Sequence, residues 1–144
     1  MKNLKFLILP LLVLCLFANS CSSDDNSNDN VDTIVGTWKV TDVWQNGVSV
    51  YILLQMVAPC PLKNKYILAN DYSMKVETFE TVGETNECTP GETQNGNWSK
   101  DGSTYYVSFE GQTTNTEVEF LDNNNFTTII EVEGEQAKVK LTRQ

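Results

Sequence analysis

Phe126-Thr127-Thr128-Ile129-Ile130-Glu131-Val132-Glu133-Gly134-Glu135-Gln136-Ala137-Lys138-Val139-Lys140-Leu141 is the stretch that decides the architecture of this chain. Phe126, Thr128, Ile130 and Val132 are set against Glu131 and Glu133, and Ala137, Val139 and Leu141 against Lys138 and Lys140. A period of two puts one set of side chains on a buried face and the other in water, the pattern of an antiparallel strand. Glu133-Gly134 between the runs is a tight-turn signal. The stretch reads as a hairpin.

The same period recurs upstream. Trp38, Val40 and Trp44 alternate with Lys39 and Thr41, and Met74 and Val76 with Ser73, Lys75 and Glu77. Tyr105, Val107 and Phe109 alternate with Thr104, Tyr106 and Ser108, and Val118 and Phe120 with Glu117 and Glu119. Turn signals fall at Asn46-Gly47, Asn70-Asp71, Asp101-Gly102 and Asn123-Asn124. Short strands joined by tight turns give an all-β sandwich or barrel. Residues 48–58, halted by Pro59 and Pro61, read as either a buried strand or a short helical lid, with the strand preferred, and residues 82–94 as the longest loop. On this parity Asp42 shares the set of Trp38, Val40 and Trp44 and is expected to point inward or sit at the barrel mouth, as a hydrogen-bonded structural residue rather than a ligand contact.

The N-terminal region has a different character. Lys2 and Lys5 precede an apolar run over residues 6–17, which ends in Ala18, Asn19 and Ser20. That is the three-part layout of a secretory signal. A membrane span needs about 20 apolar residues, and Pro10 interrupts this shorter run. Residues 1–20 are therefore expected to be removed. The small residues followed by Cys21 resemble the lipobox of bacterial lipoproteins, which implies lipidation of Cys21 and a membrane anchor. Ser22-Ser23-Asp24-Asp25 resembles the acidic export signal that sends such proteins to the outer cell surface. Residues 21–33, almost wholly Ser, Asp and Asn, read as a lipidated Cys and a disordered linker, and residues 34–144 as one domain. Asp32-Thr33-Ile34 looks like an acceptor triplet for bacterial O-glycosylation.

Charge and composition exclude several classes of function. The net charge of the full chain is −9, and loss of Lys2 and Lys5 leaves eight basic residues against 19 acidic ones, or −11. Nucleic acid is not an expected partner. The chain has no His, which removes the usual general base and the Ser-His and Cys-His nucleophilic pairs. Glu117 with Glu119, and Glu131 with Glu133 and Glu135, fall on wet strand faces, where carboxylates are solvated charge that discourages edge pairing. No enzyme, cofactor or metal site is expected.

Two echoes make the domain nameable by resemblance. Gly36-Thr37-Trp38-Lys39 opens the first strand, and Gly96-Asn97-Trp98-Ser99 opens a later one. With a Cys pair and an acidic antiparallel finish, these resemble the lipocalin-like domains of bacterial surface lipoproteins. The resemblance implies an up-and-down β-barrel of about eight strands with a central apolar cavity. Inward aromatics at Trp38, Trp44, Tyr105, Phe109, Phe120 and Phe126 are then the candidate ligand-binding residues. Cys60 and Cys88, in an exported domain and without Cys-x-x-Cys spacing, are expected to form a disulfide. The expected protein is a lipid-anchored lipoprotein on the surface of the outer membrane, binding a small hydrophobic or amphipathic ligand. The alternative is a non-catalytic module that docks on another envelope protein through an apolar patch at Tyr51, Ile52, Leu53, Leu54 and Met56.

Overall fold

The computed structural model describes residues 31–83, 87–132 and 134–144. The expected signal, Cys21 and the linker as far as residue 30 lie outside the described residues, as does Glu133.

The sheet closes around β1 (Gly36–Gln45). Its first half pairs antiparallel with β3 (Lys65–Leu68), Gly36 standing opposite Leu68. On its other side it pairs with β9 (Glu135–Arg143), from Trp38 opposite Arg143 to Gln45 opposite Ala137. Between β3 and β9 run β4 (Ser73–Thr81), β5 (Cys88–Asp101), β6 (Thr104–Phe109), β7 (Gln112–Asp122) and β8 (Asn125–Val132). Each is antiparallel to its neighbours. A short return, β2 (Val48–Ser49), folds back on the end of β1. The other eight strands, joined by the β1–β9 pairing, form a closed up-and-down barrel.

Turn chemistry explains the hairpins. Asn46 and Gly47 both hold positive φ, 52° and 79°, as a two-residue hairpin requires. Glu110 and Gly111 do the same at 49° and 81° between β6 and β7. That second turn carries a weak signature, because Glu stands where Asn or Asp is favoured. By strand alternation, the 46–47 and 110–111 turns, the end of β4 and the start of β9 share one end of the barrel. The opposite end carries the 69–72, 102–103 and 123–124 connections, and the incoming segment at Ile34 packs there.

Aromatic packing shuts that opposite end. Trp38 is fully buried, its ring 4.7 Å from Phe126 and 6.5 Å from Phe120. Phe120 also meets Tyr105 at 6.5 Å, and Trp98 meets Tyr105 at 6.3 Å. Tilted and edge-on contacts of this kind fill space without stacking like faces. The indole N–H of Trp38 donates to the Ile34 carbonyl at 2.7 Å, and that of Trp98 to the Ala69 carbonyl at 2.9 Å. Both Gly-x-Trp sequences therefore do the same work, each sealing a backbone carbonyl at the closed end.

Five sequence expectations need correction. Residues 48–58 are not a strand: after β2 the chain forms a helix, α1 (Tyr51–Val57). The pairing with β1 stops after Val48 and Ser49, and the apolar run that follows packs Tyr51 and Leu54 one turn apart against the barrel as a helix instead. Residues 82–94 are not one loop, since β5 begins at Cys88. Its first half lacks an apolar face because it lies at the open end, and Gly96-Asn97-Trp98 consequently falls inside a strand rather than at its start. The last two corrections share a cause: a bulge between Val40 and Asp42 shifts the register of β1 on β9 by one residue. Val43, opposite buried Val139, packs on the core, while Trp44, opposite exposed Lys138, lies on the outer face. Asp42 does not face the interior; it accepts the Val43 N–H at 2.8 Å and the Ser49 hydroxyl at 2.7 Å.

Candidate ligand cavity

Above the aromatic plug the barrel is hollow. A cavity of about 490 Å³ extends from Ile34, Trp98, Tyr105 and Phe126 at the closed end to Gln45, Leu54 and Ile130 at the open end. Its walls are aliphatic between these limits, with Val40, Val43, Leu68, Met74, Val107, Val118, Val139 and Leu141 pointing inward. This volume lies within the range of small-molecule sites, about 300–1,000 Å³. Ile130 lines the cavity and is still 41% exposed, so the interior reaches solvent at that end.

Helix α1 and the 3-10 turn Pro61–Lys63 overhang the opening and contribute Leu54, Pro61 and Leu62 to the lining. A Cys60–Cys88 disulfide, with Cα atoms 5.3 Å apart, ties this cap to the start of β5. The Asn64 side-chain oxygen accepts the Phe79 N–H at 2.8 Å and fixes the other side of the turn to β4. The expected disulfide is thus present, and it anchors the cap.

The six aromatics expected to bind a ligand do not act as one set. Tyr105 and Phe126 line the cavity. Trp38 and Phe120 belong to the plug beneath it, and Phe109 packs against the core beside Gly96. Trp44 lines an outer groove with Leu121, Ile129 and Lys138. Most of the wall comes instead from aliphatic residues in the inward sets. Leu54 and Leu62 of the cap escaped the strand-parity reading because neither lies in a strand.

At the closed end a carboxylate is drawn against the aromatic wall. Asp32 accepts the Ile34 N–H at 3.0 Å, the Lys100 ammonium at 2.7 Å and the Tyr105 hydroxyl at 2.7 Å. Burial raises its carboxyl, but the Ile34, Lys100 and Tyr105 hydrogen bonds outweigh it and hold the group below the ordinary value. Burial is also the main cause that pushes the Tyr105 hydroxyl up, and its hydrogen bond to Asp32 outside the cavity adds to it. Thr33, in the middle of the glycosylation-like triplet, is exposed while Asp32 is engaged. Arg143 spans the outside of the plug. Its guanidinium donates to the Val35, Thr33 and Asn123 carbonyls at 2.6, 2.7 and 3.1 Å and lies 4.3 Å from the Trp38 ring. Among the described residues no group of His, Cys, Asp or Glu is arranged to hold a metal ion.

An up-and-down barrel, plugged at one end and hollow with an apolar wall, defines a class of cavity-bearing barrels. Residues 34–128 match the family described as the lipocalin-like domain, and the chain belongs to that family. The matched span stops within β8, yet the barrel is closed by β9 beyond it. No curated protein matches the chain.

Proposed function

We propose that the barrel binds a small hydrophobic or amphipathic molecule in its cavity and has no catalytic role. The cavity carries this reading: about 490 Å³ of apolar-walled space inside a closed barrel, with a cap pinned over the opening. A well-packed core would leave few voids larger than a water molecule. The signal-like residues 1–20 and the lipobox-like Cys21 support export and anchoring at the outer membrane, with the barrel held off the surface by the polar linker. Native mass spectrometry of protein purified from its own cells tests the binding. The expected result is an added mass of a few hundred daltons that is lost on denaturation. A clean apo mass that stays unchanged when apolar ligands are added would sink it.

One observation favours a second reading. The outer face of α1 leaves Ile52, Leu53, Met56 and Val57 between 53% and 66% exposed. Tyr51 and Leu54 turn inward, so the surface patch is narrower than the sequence suggested. An exposed apolar helix face fits docking on another envelope protein. Photo-crosslinking from position 53 or 56 on whole cells distinguishes this role, since a ligand carrier without a partner yields no specific adduct.

A further inference from the structure

We propose that the cavity selects uncharged occupants, an apolar body bearing a hydroxyl or carbonyl, and rejects the ionised amphiphile of the same length. This rests on the ligand-binding reading above and names the chemistry of what enters. The first observation is the wall itself, which contains no Asp, Glu, Lys or Arg side chain. An ion brought into such a space loses its hydration and gains no counter-charge, whereas a hydroxyl needs only one hydrogen-bond partner.

The polar atoms of the wall sharpen the choice. Trp98 and Tyr105 line the cavity with their rings but turn their N–H and O–H to Ala69 and Asp32 outside it. The cations near the closed end are likewise committed, Lys100 to Asp32 and Arg143 to three backbone carbonyls. Tyr66 also lines the wall, its hydroxyl engaged in a hydrogen bond with Asn64, and the Thr116–Thr128 hydroxyl pair, joined by a hydrogen bond across β7 and β8, faces inward beside it. Either hydroxyl can donate in that pair, which leaves one proton and further lone pairs to meet a ligand hydroxyl or carbonyl.

Nearer the opening the inward positions stay neutral. Thr114 stands opposite Val107 and Gln94 opposite Val76, so both share the face of the cavity strands. Gln45 closes the series, its amide N–H donating to Glu135. Among the described residues the exposed carboxylates around this end, Glu80, Glu87, Glu110, Glu131 and Glu135, outnumber Lys63, Lys65 and Lys138, and the last two are paired with Glu77 at 3.5 Å and Glu119 at 3.2 Å. An anionic headgroup therefore meets like charge outside and no cation inside.

Equilibrium dialysis of the purified protein against 1-dodecanol, dodecanoate and dodecylammonium near pH 8 tests the proposal. The alcohol is expected to bind about tenfold or more tightly than either ion, and dodecanoate to approach it as acidification neutralises the carboxyl. Binding of either ion as tightly as the alcohol would overturn the proposal while leaving a ligand-binding cavity in place. Binding of none of the three would instead remove the cavity reading on which it rests. Thr128→Val separates the polar subsite from general packing. It should weaken dodecanol several-fold and spare N-phenyl-1-naphthylamine, an uncharged probe without a hydroxyl. Equal loss for both probes would overturn the assignment of the hydroxyl pair.

Discussion

Gly36 and Arg143 compete for one small volume. A Cβ built on Gly36 would lie 2.1 Å from an Arg143 guanidinium nitrogen, and the backbone there holds φ at +153°, which L side chains rarely adopt. Gly36→Ala should displace the guanidinium from the Val35 and Thr33 carbonyls and strain the backbone as well, costing about 2 kcal/mol in urea unfolding. Arg143→Lys keeps the charge but loses the fork that reaches separate carbonyls, and a similar loss is expected. At the same end, Asp32 links stability to pH. Its carboxyl is held below the ordinary value of 3.8, so its contribution is fully present above that value and is lost as pH falls through the lower, folded value. Asp32→Asn should lower the melting temperature at neutral pH and converge with the parent protein in strong acid. A constant gap down to pH 2 would show that the carboxylate charge is not what matters there.

Cap and strand behave as separable elements joined by sulfur. The Cys60–Cys88 bond spans 28 positions and, by loop closure, is worth about 3.5 kcal/mol. The double Cys→Ala variant should lose up to that amount in denaturant. Hydrogen exchange of α1 should rise more than that of β8 and β9, since α1 has no buried residue of its own to hold it down. The same elements show how much could be read from residues alone. The β8–β9 hairpin was plain because its two faces differ sharply, aliphatic inside and charged outside. The first half of β5 was hidden because Gln94 faces the open end, where an inward position need not be apolar. Trp44 was misplaced by the one extra residue of a bulge, which reverses parity and leaves no mark in composition. Helix α1 was ambiguous because a short apolar run has no period to separate helix from strand. Alternation also says which side chains point inward but not whether they meet in the middle, so the hollow above Trp38 was open to packing.

For the whole molecule, the proposed anchor is independent of the barrel. Cys21→Ser should move the protein from the membrane fraction to the soluble fraction without changing its melting temperature, and retention on membranes would remove the lipidation reading. The far-reaching feature is the β1–β9 seam, which joins residues 38–45 to residues 137–143. Contacts that distant in sequence are slow to form, because their loop-closure entropy must be met before any pairing rewards it. During synthesis the seam stays open until residues about a hundred positions downstream of β1 have been made. The export proposed above would be helped by that delay, since the barrel cannot lock around Trp38 while β9 is still missing. In the proposed export the seam acts as a timer, keeping the chain threadable until β9 arrives.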